Sequence, residues 1–139
     1  MRISVFGLGY VGTVSAGCLA ADGHAVVGVD VSIDKVAAIN AGTSPIVEPG
    51  IAQLIADGHQ HGALRATTSA VEAIQASDVS LVCVGTPSNL NGSLDLRYVQ
   101  RVCEEIGAAL RGKTSPHLVV MRSTMLPGTT ETLAIPALP

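Results

Sequence analysis

Short apolar runs of strand character alternate with helical stretches along the whole chain, and a glycine motif stands between the first run and the first helical stretch. Alternation of this kind predicts an α/β domain, a parallel sheet joined by right-handed helical crossovers and covered on both faces. The motif is Gly7-Leu8-Gly9-Tyr10-Val11-Gly12, preceded by Ile3-Ser4-Val5-Phe6 and followed by the small and apolar residues Val14 to Ala21. It is G-x-G-x-x-G in the strand-to-helix context that gives the spacing its meaning. A second apolar run, Ala25-Val26-Val27-Gly28-Val29-Asp30, ends in an acid 30 − 12 = 18 residues past the third glycine. Together these features predict a doubly wound parallel sheet of the Rossmann, dinucleotide-binding type, with strand order 3-2-1-4-5.

Each part of the motif has a physical task. Gly7 permits the tight turn, Gly9 lets the backbone approach a pyrophosphate, and Gly12 lets the helix lie close to the strand. The helix N-terminus offers free N–H groups and a partial positive charge to phosphates. Asp30 is placed to accept hydrogen bonds from the two adenosine ribose hydroxyls and to repel a 2′-phosphate, which selects NAD over NADP.

The composition narrows the classes. A chain of 139 residues, 47% apolar, is long enough for one domain with a real core. A net charge of −3 leaves no basic patch, so nucleic acid is not an expected partner. No apolar run reaches the length of a membrane span, and Arg2 followed at once by a strand does not fit a signal peptide. With no Trp and one Phe, the core has to be built from Val, Ile, Leu and Ala. Cys18, Cys83 and Cys103 are far apart, without metal-ligand spacing, and read as small buried hydrophobes.

The remaining elements follow in order. The first helix spans about Tyr10 to Asp22, with Gly23 as its stop and Ala16, Gly17 and Ala20 thinning the face toward the sheet. Ser32 is the expected N-cap of a second helix, whose first turn carries Asp34 and Lys35. Lys35 then lies near the adenosine end of a cofactor, as a contact or as a solvated surface residue. Glu48-Pro49-Gly50 opens a third helix with Pro near its first position, and Glu48 is expected near the rim of the cleft. Leu64–Thr68 is a short third strand, and Ser69 with Glu72 is a capping-box pattern. Val79–Val84, apolar but for Ser80, is a central strand followed by Gly85-Thr86-Pro87-Ser88 at its carboxyl end, where doubly wound sheets bind ligands. Thr86 is therefore a candidate cofactor contact. Asp95 caps a long helix with Leu96, Val99, Val102, Cys103, Ile106 and Leu110 on one face. His117–Arg122 is the fifth strand, and Pro127-Gly128-Thr129 opens a helical stretch broken near Pro136, so a sixth strand is lacking.

Four stretches reach beyond the glycine motif in specificity: Gly7–Gly12, Pro45-Ile46-Val47-Glu48-Pro49-Gly50, Val84-Gly85-Thr86-Pro87, and Arg122-Ser123-Thr124 with Pro127-Gly128-Thr129. In register over essentially the whole chain they resemble the nucleotide-sugar dehydrogenases, the family of UDP-glucose and GDP-mannose 6-dehydrogenases. Cys83–Ser88, Asn91-Gly92 and Leu94-Asp95-Leu96 are most similar to the GDP-mannose branch. The resemblance implies NAD as cofactor, with contacts at Gly7, Gly9, Tyr10, Val11, Gly12, Asp30, Lys35, Thr86 and Thr124. It implies oxidation of the C6 alcohol of GDP-mannose to GDP-mannuronate in two hydride transfers, by a cytoplasmic homo-oligomer supplying alginate-type polysaccharide. A cysteine captures the aldehyde as a thiohemiacetal, which becomes a thioester and is hydrolysed. The residue matching Thr124 lies near the reacting centre, where its hydroxyl positions a water or the nicotinamide.

In that family the cysteine stands in a Gly-Gly-Ser-Cys motif beyond position 139, and none of Cys18, Cys83 or Cys103 is in such a setting. The expectation is thus one truncated NAD-binding domain over residues 1–139, lacking the substrate domain and binding NAD without turnover. Three alternatives stand beside it: the matching part of a UDP-glucose 6-dehydrogenase, a non-catalytic NAD-binding module, and a dehydrogenase of the hydroxyacyl-CoA or 6-phosphogluconate type. Glu48-Pro49-Gly50 and Arg122-Ser123-Thr124 disfavour the last.

Overall fold

The computed structural model describes residues 1–139. Five strands, β1 (Arg2–Phe6), β2 (Ala25–Val29), β3 (Leu64–Thr67), β4 (Val79–Val82) and β5 (Leu118–Met121), form one sheet in the order β3-β2-β1-β4-β5. All neighbours run parallel, with Val5 opposite both Gly28 and Leu81. This is the strand order the sequence predicts. Helices α1 (Tyr10–Ala21), α2 (Ile33–Asn40) and α3 (Ile51–Gln60) cover one face, where Ile3, Val5 and Val26 pack with Ala16, Ile39 and Ile55. Helices α4 (Ala70–Gln75) and α5 (Arg97–Leu110) cover the other, where Phe6, Val27 and Val82 meet Ile74 and Ile106. The winding reverses between β1 and β4, which opens a crevice at their carboxyl ends. No helix is long and apolar enough to cross a membrane.

Several elements differ in detail from expectation. Gly17 does not thin the sheet side of α1; a Cβ there would lie 3.3 Å from Leu54 Cβ, so it serves the contact with α3. Pro49 is not in the first turn of α3. Gly50 sits at φ 84° and ψ −19°, and Ile51 N donates to Glu48 O at 3.2 Å, so Glu48–Ile51 form a type II turn and the helix begins after it. Ser69 does cap α4, accepting from Glu72 N at 3.2 Å, but the Glu72 carboxylate turns away to Thr67 Oγ1 (2.9 Å) and Arg65 (2.6 Å). Asp95 is one residue ahead of the N-cap position of α5. Its Oδ1 accepts from Arg97 N at 3.1 Å, and the guanidinium of Arg97 grips both oxygens, holding the carboxyl down to about 2. The chain bends into a π-type turn at Thr130–Ala134 and one helical turn (α6, Ile135–Ala137) that continues through Pro136. Its end presses on α5, where a Cβ on Gly107 would sit 2.0 Å from Ala137 O. Of the cysteines, Cys83 and Cys103 are buried and burial pushes both thiols up, whereas Cys18 lies exposed on the outer side of α1.

A polar network sits under the sheet on the edge opposite the crevice. Ser4, Ser77 and Ser80 are fully buried. Ser80 Oγ lies 2.6 Å from Ser4 Oγ and 2.8 Å from His117 Nε2. Ser77 lies 3.0 Å from Ser4 and donates to Ala73 O at 2.7 Å. Lys113 Nζ reaches His117 Nδ1 at 3.0 Å and donates to Ile74 O (2.8 Å) and Ser77 O, closing the C-terminal end of α4. An ammonium can only donate, so it fixes His117 with Nδ1 as acceptor and Nε2–H toward Ser80. The network leaves no buried side-chain nitrogen or oxygen unpaired.

Burial, and then the neighbouring Lys113 charge, lower the pKa of His117. The folded chain therefore binds a proton there less readily than the unfolded chain. This contribution to stability is complete above the ordinary imidazole value of about 6.5 and is lost as the pH falls below it. The thermal midpoint is expected to drop between neutral and mildly acid pH. His117→Gln, which keeps an acceptor and a donor but cannot titrate, should flatten that drop; an equal drop in the variant would assign it to other groups.

Candidate functional site

The turn after β1 is shaped by two close approaches. Gly7 sits at φ +99°, and a Cβ on it would lie 2.9 Å from Cys83 O. Its N–H donates to Val29 O at 2.8 Å. A Cβ on Gly12 would fall 1.6 Å from Gly7 O, so α1 can follow the turn only with glycine there. Thr13 Oγ1, fully buried, donates to Leu8 O at 3.1 Å and fastens the helix to the turn. Gly9 is the N-cap of α1, no side chain caps it, and a Cβ there would meet nothing within 4 Å. The N–H groups of the first helical turn are thus left for an external acceptor, across space that any side chain at position 9 would fill.

Asp30 stands just past β2. One oxygen, Oδ2, accepts from Leu8 N at 2.8 Å, and the other, Oδ1, accepts from Ser32 N at 2.8 Å. The carboxylate therefore ties the glycine turn to the start of α2 and keeps a lone pair on each oxygen for a diol. Ser32 Oγ caps α2 by accepting from Lys35 N at 3.3 Å, which places Lys35 on the same rim.

Across the switch point, the segments leaving β4 and β5 form the opposite wall. Thr86 Oγ1 donates to Thr124 O at 2.8 Å, and Ser123 Oγ donates to Val84 O at 2.7 Å. Pairing between the strands stops at Val82 and Met121, short of the predicted ends, and the Ser123 side chain takes the Val84 carbonyl beyond that point.

These walls enclose a cavity of about 520 Å³. Gly7, Gly9, Tyr10, Val11, Asp30, Lys35, Thr86 and Thr124 all line it. Gly12 does not: its role is the contact with Gly7, one step behind the surface. Glu48, expected near the rim, is not among the lining residues either. Sequence reasoning missed one wall. Tyr98, Arg101 and Glu105 of α5 also face the cavity, beside Val102. Their spacing of 3 and 7 is a polar helical stripe bordering the apolar one, which supplies Val102. Lys35, Arg101 and Arg122 against Asp30 and Glu105 give the lining a surplus of positive charge, suited to a diphosphate.

A glycine turn at an uncapped helix N-terminus, an acid at the end of the second strand and a cleft at the switch point define a dinucleotide-binding domain of the dehydrogenase class. The model of the UDP-glucose/GDP-mannose dehydrogenase family, NAD binding domain, matches residues 1–138, and the chain belongs to that family. It is 58% identical over 138 residues to a GDP-mannose 6-dehydrogenase of Azotobacter vinelandii, covering 99% of this chain and 32% of that protein. To a UDP-glucose 6-dehydrogenase of Rhizobium meliloti the identity is 44% over 130 residues, covering 93% of this chain and 29% of that protein. The crystal structure of a ternary complex of GDP-mannose dehydrogenase from Pseudomonas aeruginosa superposes with a TM-score of 0.97 at 58% identity, covering 99% of this chain and 31% of that one. The chain spans about a third of the length of the curated relatives it matches. Its cofactor is NAD.

Two glycines are expected to separate folding from binding. Gly9→Ala leaves the thermal midpoint near that of the parent, because its Cβ meets only open space, yet NAD no longer binds. Gly12→Ala lowers stability by about 2–4 kcal/mol, as an unrelieved clash with backbone does. Thermal melts with calorimetric NAD titrations check both; a Gly9→Ala chain that binds NAD normally would remove the turn from the site.

Proposed function

We propose that this chain is the NAD-binding part of a GDP-mannose 6-dehydrogenase, an enzyme that oxidises a nucleotide sugar at C6 with two NAD. The observation that carries the cofactor half of this reading is the Asp30 carboxylate, held by two backbone N–H groups beside the glycine turn. The substrate half is supported by higher identity to the GDP-mannose enzyme, 58%, than to the UDP-glucose enzyme, 44%. The whole protein is proposed to be a cytoplasmic homo-oligomer serving alginate-type polysaccharide synthesis, in keeping with the branch it resembles.

In this reading the main-chain N–H groups at Tyr10 and Val11 receive the pyrophosphate, and Gly7, Gly9 and Gly12 let it come close. Asp30 takes the adenosine ribose diol, and Lys35 lies beside it as a cation for ribose or phosphate. Thr86 and Thr124 flank the nicotinamide end, with the Thr124 hydroxyl available to orient the ring or a water. Bound NAD supplies the hydride-accepting chemistry; the residues of this chain hold and orient it. The thiol that captures the aldehyde belongs to the remainder of the protein. Cys83 lines the same cavity, but it is buried and burial raises its pKa, which keeps it a thiol and a poor nucleophile.

Two outcomes are expected. Calorimetric titration gives NAD tighter than NADP by about tenfold or more, since a 2′-phosphate beside Asp30 meets like charge at short range. Equal or tighter NADP binding would mean that the carboxylate does not meet the ribose. Incubated with NAD and GDP-mannose, the 139-residue chain forms no reduced cofactor, because the positioning of C6 that lowers the barrier lies elsewhere. Sustained NADH formation that disappears in Cys83→Ser would make the chain a complete enzyme.

A further inference from the structure

The two segments that form the nicotinamide wall leave the sheet without a shared ladder. The bond from Arg122 N to Val82 O, at 2.9 Å, is the last main-chain hydrogen bond between them. Beyond it they are joined by a reciprocal pair of side-chain bonds. Ser123 donates from the β5 segment to Val84 O, and Thr86 donates from the β4 segment to Thr124 O. These residues are 39 and 38 positions apart, so each bond crosses between segments that would otherwise move separately. A hydroxyl has one hydrogen, and that of Thr86 is committed to the Thr124 carbonyl. It is not available as a donor to a ligand.

Asp30 lies at the β2 side of the switch point and the two ties at the β4–β5 side. A dinucleotide with its adenosine ribose on Asp30 and its phosphates at Gly9 extends its second nucleoside over Thr86 and Thr124. We propose that Thr86 is a positioning residue: its hydroxyl pins the Thr124 main chain, so that the wall facing the nicotinamide riboside is formed before the cofactor arrives. This rests on the NAD-binding reading above. Fixing the wall in advance removes the ordering that binding would otherwise have to supply, and that benefit falls on the nicotinamide half alone.

The test compares the parent chain with Thr86→Val, which keeps shape and removes the hydroxyl, and Thr86→Ser, which keeps the hydroxyl. NAD and ADP are titrated by calorimetry, ADP carrying the adenosine and both phosphates without the nicotinamide riboside. Thr86→Val is expected to weaken NAD about fivefold, the effect of one hydrogen bond, with ADP affinity unchanged. Thr86→Ser restores NAD binding. In the cofactor-free chain, backbone order parameters of residues 123–126 fall in Thr86→Val relative to the parent, which loss of a direct contact from Thr86 to the cofactor would not produce. Equal weakening of NAD and ADP, unchanged NAD affinity, failure of the serine variant to restore it, or unchanged order parameters would each overturn the proposal. A parent chain that binds neither ligand would instead overturn the reading on which it rests.

Discussion

The site depends on one steric constraint, the passage of α1 across the back of the turn at Gly7. A Cβ at position 12 would fall 1.6 Å from the Gly7 carbonyl oxygen. With hydrogen there, the helix starts directly at the carboxyl end of the central strand, and its unpaired N–H groups open onto the cleft. Gly7, backed by Cys83, completes the fit. Leu8 is fully buried beneath the turn against Gly28, where a Cβ would come within 2.8 Å of its side chain. The turn is therefore packed from three sides, and a ligand meets a backbone already in place.

The Asp30 carboxylate extends that order from the turn to the neighbouring strand. Because it accepts from Leu8 N and Ser32 N, the spacing between the phosphate-facing turn and the start of α2 is set by one side chain. Losing the carboxylate would release two part-buried N–H groups and, under the proposed function, a ribose partner as well. On the far wall, Thr86 and Ser123 do the corresponding work by side-chain bonds to main-chain carbonyls. The molecule is thus polarised. Its carboxyl edge presents unpaired backbone donors and lone pairs, while its amino edge closes every polar group in the Ser4–Ser80–His117–Lys113 network.

Much of this was legible in the residues. Strand order follows from alternation and the crossover rule, and the Gly7–Gly12 turn with Asp30 beside it is legible because its spacing is local. What was not legible depends on partners distant in sequence or on geometry within one turn. Glu48-Pro49-Gly50 fits a helix start and a type II turn equally well until the φ of Gly50 is known. The Asp95 carboxylate stands one residue before the N-cap position and takes both the main-chain N–H and the guanidinium of Arg97, a pairing that its sequence position alone does not announce. Cys18 sits among apolar neighbours in sequence, but the helical turn directs it outward. The bond from the Thr86 hydroxyl to the Thr124 carbonyl joins residues 38 positions apart, so no local pattern announces it.

Under the proposed function NAD enters at the carboxyl edge alone, along the Gly7–Gly12 turn, Asp30 and the wall at Thr86 and Thr124. Following backbone amide resonances of the isotopically labelled chain during NAD titration tests it most directly. Shifts are expected to concentrate at Gly9, Tyr10, Val11, Ser32, Thr86 and Thr124, with Lys113 and His117 unmoved. Shifts centred on the Lys113–His117 edge, or a saturable change that spares Gly9 to Val11, would contradict it.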